Sequence, residues 1–150
     1  MGDINWKNKC WVTTIYLVKD SKVLLTWNKN LQTWIPVGGH MDPGETPEEA
    51  IKREVEEEVG CSFVFHPEPK EECNGNVRVL SPLRIQIDKV PHHGQHINIK
   101  FAGKVTKWKE VSETDEQEKL KWFSKEDLTS DKGMLESVRN NALEALRLVR

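Results

Sequence analysis

Hydrophobic positions in the first forty residues favour extended structure. Residues 10–18 read CWVTTIYLV, a run of β-branched and aromatic side chains that is typical of a strand. A second apolar run covers 22–27, and the short link formed by Lys19, Asp20 and Ser21 predicts a hairpin between the two. A polar loop over 28–31 then leads into a short apolar run over 34–37. This part of the chain therefore predicts a series of strands.

The next pattern is helical. Thr46 and Glu49 have the spacing of a capping box, Pro47 stands at the first helical position, and Gly60 stands where a helix would stop. Apolar residues recur every fourth position between these signals and form one stripe for burial: Ile51, Val55 and Val59.

The second half of the chain predicts more strands and a final helix. Strands are expected over 77–80, 83–88 and 96–105, and apolar and polar residues alternate in the last of these. Trp122 and Phe123 predict a short buried strand, and residues 124–127 can cap a helical turn. Residues 132–149 carry apolar side chains at helical spacing. The order predicts an α+β fold, with helices on the faces of a mixed sheet. At 150 residues, one domain over 1–150 is expected.

Charge and composition narrow the function. The net charge is −2, so no global basic field is available to hold an extended nucleic acid, and phosphates would need a metal or a local site. The odd set of Cys10, Cys61 and Cys73 has neither disulfide nor zinc spacing, which favours a reducing compartment. No signal-peptide pattern is found, and no run reaches the roughly 20 apolar residues of a membrane span. A cytoplasmic protein without a membrane partner is expected.

Glutamates on the predicted helix form an acidic arc. Glu54, Glu57 and Glu58 are spaced i, i+3, i+4 and fall beside the apolar stripe, whereas Glu56 faces away. Like charges so placed repel one another. The arc is either a solvated acidic face or a site for a hard divalent cation such as Mg²⁺, which prefers oxygen ligands.

The segment before the helix is rich in glycine. Residues 38–45 read GGHMDPGE and are expected to form a loop. A turn alone accounts for Gly44, but it accounts less well for the Gly38 and Gly39 pair. Glycine permits a close approach of the backbone to a ligand.

Taken together, residues 39–61 resemble the Nudix box, G-x5-E-x7-R-E-U-x-E-E-x-G-U, where U is a bulky aliphatic residue. The fixed positions of this pattern are occupied by Gly39, Glu45, Arg53, Glu54, Glu57, Glu58 and Gly60. Only Cys61, at the final U, departs from it. The Trp-x-Pro-x-Gly-Gly approach at 34–39 is also typical of the family. By this resemblance the chain is identified as a Nudix hydrolase, which implies the Nudix α/β/α sandwich with a mixed sheet.

The resemblance also implies roles for individual residues. The metal ligands would be Glu54, Glu57, Glu58 and the carbonyl of Gly39, with Mg²⁺ as the cofactor and Mn²⁺ as a substitute. Glu57 is the candidate general base, although the base varies within the family. Arg53 and Glu45 resemble the pair that orients the catalytic helix. A further acidic ligand is expected from 113–118, where Glu116 is favoured.

The substrate stays open at the sequence level. The box implies a Mg²⁺-dependent hydrolase of phosphoanhydride bonds in nucleoside triphosphates or nucleoside diphosphate derivatives. The downstream proline and tyrosine markers of ADP-ribose and dinucleoside polyphosphate enzymes are absent, which favours a MutT-like pyrophosphohydrolase. The alternatives are an ADP-ribose or nucleotide-sugar pyrophosphatase and a non-catalytic nucleotide-binding module, although the intact box favours catalysis. A homodimer is compatible with the sequence.

Aromatic and histidine residues add weaker signals. Trp27 and Trp34 lie near the glycine-rich segment, where core packing is the favoured interpretation for each and stacking on a base is the alternative. His92, His93 and His96 form H-H-x-x-H in a stretch with Pro91 and Gly94. That stretch favours an ordinary hairpin loop over a metal site, and contact with substrate is the other interpretation.

Overall fold

The computed structural model describes residues 9–68, 81–90, 94–109 and 119–150. These residues form eight strands: β1 (Lys9–Lys19), β2 (Lys22–Asn28), β3 (Thr33–Ile35), β4 (Val37–His40), β5 (Ser62–His66), β6 (Arg84–Val90), β7 (Gly94–Lys107) and β8 (Leu120–Phe123). They also form three helices: α1 (Pro47–Glu58), α2 (Lys125–Ser130) and α3 (Glu136–Leu148). None of these described helices has the length and apolarity to cross a membrane.

The centre of the sheet is β1. It runs parallel to β7 over 9–18. On its other edge, residues 12–15 pair antiparallel with β4 and residues 17–19 pair antiparallel with β2. The first half of β7 carries β6 and its second half carries β5, while β3 and β8 both pair with β2. The parallel and antiparallel pairings together make the sheet mixed, as predicted.

Two apolar cores lie on opposite faces of the sheet. Successive side chains of a strand alternate between faces, so Ile15 of β1 packs with Ile51 and Val55 of α1. Tyr16 packs on the other face with a cluster that includes Leu128 of α2 and residues of α3. The sheet therefore lies between α1 and the α2–α3 pair, which confirms the predicted α/β/α sandwich.

The predicted hairpin and helix start are confirmed. Asp20 and Ser21, with φ of 50° and 60°, make the two-residue turn between β1 and β2. At the start of α1 the Glu49 backbone N–H donates to Thr46 Oγ1 at 3.2 Å. The Thr46 backbone N–H donates to Glu49 Oε2 at 3.4 Å, which completes the capping box. This cap fixes where the acidic helix begins.

The segment that precedes α1 differs from its prediction. The apolar run 34–37 belongs to two strands, because Pro36 lacks an N–H donor and separates β3, which pairs with β2, from β4, which pairs with β1. Gly38 and Gly39 lie within β4, so the prediction of a loop there is wrong. A Cβ on Gly38 would lie 2.1 Å from the Thr13 carbonyl oxygen, and its φ of +151° also favours glycine.

Two further elements depart from the sequence pattern. Strand β5 is not among the predicted elements, and it pairs antiparallel with β7. Helix α3 begins at Glu136 rather than at 132, after Leu135 in an extended conformation. The strand expected over 77–80 lies outside the described residues.

Candidate active site

Helix α1 meets strand β4 through two glycines. A Cβ on Gly39 would lie 2.6 Å from Glu54 Oε1, so the carboxylate occupies the space that any larger residue would need. The Gly38 backbone N–H donates to Glu58 Oε2 at 3.4 Å. The glycine pair therefore lets carboxylates of the helix reach the backbone of the strand.

The three glutamates of the acidic arc differ in exposure. The Glu54 side chain is 12% exposed and that of Glu57 is 59% exposed. Glu58 is half-buried, and burial together with the charge of Glu54 raises its pKa to about 7, against the hydrogen bond from Gly38. Glu56, on the same helix, is exposed. The helix thus presents one shielded, one half-buried and one open carboxylate.

Arg53 connects the helix to the residues before it. Its Nε and Nη2 donate to the two carboxylate oxygens of Glu45, both at 2.9 Å, in a bidentate pair. Nη2 also donates to the His40 carbonyl at 3.0 Å, and Nη1 donates to Glu54 Oε1 at 3.0 Å. The Arg53 contact holds the pKa of Glu45 below its ordinary value. One guanidinium therefore joins β4, the loop and the acidic arc.

The donor set of the arc suits a hard cation. Carboxylates and carbonyls are the oxygen ligands that Mg²⁺ prefers, and Gly39, whose carbonyl is a ligand by the family resemblance, adjoins Glu54. In the described ranges no three His, Cys, Asp or Glu side chains are already arranged as a metal site. Arg53 Nη1 lies 3.0 Å from Glu54 and 3.4 Å from Glu57, so the guanidinium shares these carboxylates. Glu57 is exposed enough to turn toward a cation.

A cavity of about 860 Å³ lies on the other side of the glycine pair. Gly38 and Gly39 contact the acidic arc and also line this cavity, so they form the boundary between the two. Its apolar lining includes Leu31 of the β2–β3 segment and Val138 of α3. Asp88, Asn98 and Lys100 contribute polar groups to it. The site thus combines an acidic arc with an adjoining pocket.

Those three polar residues are absent from the predicted site. The available signal was the alternation within 96–105, where Asn98 and Lys100 separate Ile97, Ile99 and Phe101. Alternation alone assigns such residues to a solvated face. The positions of α3 and of the β2–β3 segment over this face make it the lining of a cavity.

The tryptophans and histidines singled out in the sequence lie in different parts of the structure. Trp34 packs edge-to-face on Phe123 and on Trp27, with centroid distances of 5.5 and 5.3 Å, and neither tryptophan lines the cavity. Base stacking on them stays a prediction. His96 lies in β7, its ring centroid 5.0 Å from that of His40, and both line the cavity. The calls on His92, His93 and Glu116 lie outside the described residues.

Comparison with known proteins identifies the family of this chain. The sequence matches the NUDIX domain family over residues 10–146. The chain belongs to the Nudix family. A Bacillus subtilis protein named "Putative 8-oxo-dGTP diphosphatase" is 29% identical to this Nudix chain over 110 residues. The alignment covers 73% of this chain and 62% of that protein, so this chain spans less than two thirds of its relative.

Solved structures agree with the family assignment. A NUDIX family hydrolase from Clostridium perfringens superposes with a TM-score of 0.82 at 29% identity, covering 95% of this chain and 99% of the other. A MutT NUDIX hydrolase from Burkholderia pseudomallei gives a TM-score of 0.63 at 20% identity, covering 96% and 100%. The second likeness concerns the fold alone. The resemblance stated from the box is therefore confirmed at the level of family and fold.

Proposed function

We propose that this Nudix protein is a Mg²⁺-dependent hydrolase of a phosphoanhydride bond in a nucleoside triphosphate or nucleoside diphosphate derivative. The observation that carries the proposal is the glycine boundary, where Gly38 and Gly39 contact Glu58 and Glu54 on one side and a nucleotide-sized cavity on the other. The name of the Bacillus subtilis relative favours purine nucleoside triphosphates as the first substrates to test.

Glu54, Glu57, Glu58 and the carbonyl oxygen of Gly39 would hold the cation. When bound there, Mg²⁺ supplies positive charge that offsets the phosphate oxygens and makes nearby water more acidic. The surroundings support this assignment. Burial, and after it the like charge of Glu54, raises the pKa of Glu58, so a cation at the arc would offset an unfavourable concentration of negative charge.

The carboxylate of Glu57 removes the proton from the attacking water in this proposal. It is the most exposed of the three carboxylates and can approach a substrate without unpacking the helix. Glu54 is less free, because Arg53 and Gly39 confine it. Arg53 and Glu45 are positioning residues, since their bidentate pair fixes the helix relative to β4.

The experiment is a hydrolysis assay on purified protein in which the nucleotide products, sugar phosphates, phosphate and pyrophosphate are separated and identified, because ADP-ribose and nucleotide sugars release neither phosphate nor pyrophosphate directly. The panel contains dGTP, 8-oxo-dGTP, dATP, ADP-ribose and a nucleotide sugar, each with Mg²⁺, with Mn²⁺ and with excess chelator. We expect turnover of a nucleoside triphosphate that vanishes with chelator and returns with either metal.

Three results would change the proposal. Full turnover in chelator removes the metal from the mechanism. Turnover confined to ADP-ribose or the nucleotide sugar selects the pyrophosphatase alternative. Tight nucleotide binding without turnover of any substrate, under every metal condition, selects the binding module.

A further inference from the structure

The floor of the cavity is a hydrogen-bonded row that crosses three strands. Asp88 of β6 accepts through both carboxylate oxygens, from Gln86 Nε2 at 2.6 Å and from Asn98 Nδ2 at 2.8 Å. Asn98 of β7 in turn accepts from Thr14 Oγ1 of β1 at 3.0 Å. These bonds fix the amide orientations and leave the Asp88 oxygens occupied.

Lys100 is the charged donor in this row. The residue is only 2% exposed, and its ammonium pairs with Asp88 Oδ1 at the long distance of 3.8 Å. An ammonium carries three N–H donors, and that contact uses one of them at most. Burial lowers the pKa of Lys100, and the charge of Asp88 acts in the opposite direction. Within the described part of the chain, Lys100 makes this one long ion pair, and an ammonium so placed at the lining of a cavity favours a ligand that brings acceptors.

Lys100 lies at a distance from the glycine boundary that suits contact with the base of a nucleotide rather than with its phosphates. Lys100 pairs with Thr14 across β7 and β1, and Thr14 pairs with Gly38 across β1 and β4. Two strand spacings separate Lys100 from Gly38, about 10 Å. A nucleotide whose phosphates reach the boundary would therefore place its base, rather than its phosphates, over the Lys100 row.

Charge supports the same assignment. Asp88 offsets the charge of Lys100, so the row as a whole is not an anion site. What the row still offers is hydrogen-bond donation at one point. Guanine presents the carbonyl oxygen O6 at the position where adenine carries an amino group. An ammonium facing that position can donate to O6 of guanine, whereas with adenine its N–H donors would face the N–H donors of the amino group.

We infer that Lys100 is a specificity-determining residue that selects guanine-type bases by donating a hydrogen bond to O6, with Asp88 and Asn98 holding it in place. The inference rests on the proposed function in one respect, because it takes the cavity as the binding site of the nucleotide. It extends that function from a reaction class to a base class.

The test is calorimetric binding of nucleoside monophosphates to the wild-type protein in excess chelator, where no hydrolysis occurs. The ligands are dGMP, dIMP (which keeps O6 and lacks the 2-amino group), dAMP and 2-aminopurine deoxyribonucleoside monophosphate (which lacks O6). We expect dGMP and dIMP to bind about tenfold or more tightly than the other two, the discrimination typical of a specific base contact.

Variants then assign the preference to one side chain. Lys100→Met should bring the four affinities to within about threefold of one another, mainly by weakening dGMP and dIMP. Removing one partner of a buried ion pair destabilises a protein, so the Tm is recorded and the double variant Lys100→Met/Asp88→Asn, which removes both charges, is measured beside it; it should show the same loss of preference. Lys104→Met is the matched control on the same strand, since Lys104 is exposed and does not line the cavity; it should leave all four affinities unchanged.

The results separate this inference from the proposed function. Equal binding of dGMP and dAMP by the wild type, or tight binding of the 2-aminopurine nucleotide, overturns the inference without any variant. A Lys100→Met protein that keeps the preference for guanine overturns it as well. A guanine preference in a protein that hydrolyses no nucleotide with Mg²⁺ refutes the proposed function and leaves the inference standing.

Discussion

At the scale of single residues, Gly39 is a point of close approach between strand β4 and helix α1. Any side chain there would displace the Glu54 carboxylate, which a Cβ would approach to 2.6 Å. We expect Gly39→Ala to lower kcat by about 10- to 100-fold, because a shift near 1 Å in a catalytic group can cost two orders of magnitude. The Tm should change little, since the far end of a glutamate can move without unpacking the core.

The control for this change is Gly133→Ala. There the nearest atom to an added Cβ is Asp131 Oδ1 at 3.6 Å, an ordinary contact. Steady-state kinetics and thermal melts of both variants check the prediction. A Gly39→Ala protein with the wild-type kcat would show that the position of Glu54 does not control the rate.

Neighbouring glutamates on α1 provide a second test at this scale. Glu57→Gln removes a charge from the acidic arc and should lower kcat by at least about 100-fold, the low end for a general base. Glu56→Gln removes the same charge from an exposed position that faces away, and it should be nearly neutral. Single-turnover rates at saturating Mg²⁺ distinguish the two. If Glu56→Gln is the slower variant, the base lies elsewhere.

The sequence indicated those site residues that lie close together along the chain, and it did not indicate those that the fold brings together from distant segments. The glutamates and Arg53 stand in one continuous box: helical spacing placed the glutamates on one arc, and the resemblance to the Nudix box added Arg53. Lys100 lies on a strand far along the chain from that box, and its role depends on β1, β6 and α3 meeting around it. The residue pattern within one segment does not indicate which distant segments will pack against it.

At the scale of elements, the Arg53–Glu45 pair fastens α1 to the segment that precedes it. Glu45 has a lowered pKa in the folded protein, so the pair adds stability above the ordinary value of 4.5 and loses it as the pH falls below that value. We expect Glu45→Gln to lower the Tm at pH 7. The difference from the wild type should shrink as the pH falls through 4.5, because protonated glutamate and glutamine are then alike in charge.

Thermal melts of the two proteins from pH 7 to pH 3 provide the measurement. Glu56→Gln is the control, since the residue is on the same helix and exposed. Its Tm difference from the wild type should stay near zero throughout. A Glu45→Gln difference that is constant with pH would mean that shape rather than charge makes the contribution.

Elements were predictable where the evidence was local. The capping box of α1 and the Asp20–Ser21 turn need only adjacent residues, and both are present. The division of 34–37 at Pro36 depends on β3 and β4 having different partners, which are distant in the sequence. Strand β5 is likewise defined by its pairing with β7.

At the scale of the whole molecule, the two cores are separated by one sheet. Ile51 belongs to the core under α1 and Leu128 to the core under α2 and α3, and both are fully buried. Each change to alanine should lower the free energy of unfolding by about 2–5 kcal/mol. Because the sites share no contacts, the double variant should show the sum to within about 0.5 kcal/mol. Urea titrations of the three variants measure this, and a larger coupling would mean that the sheet transmits strain between faces.

Strand β1 supplies alternate residues to both cores and also pairs with the glycine strand, Thr13 opposite Gly39. Inserting one residue in its middle would exchange the faces of every side chain beyond that point. Ile15 and Tyr16 would then trade cores, and Gly38 would lose the neighbour that leaves it no space for a side chain. A single insertion would therefore disrupt both the packing of the two cores and the geometry of the candidate active site. A change of one residue in chain length is therefore expected to be tolerated in the connecting segments and to abolish both folding and activity in this strand.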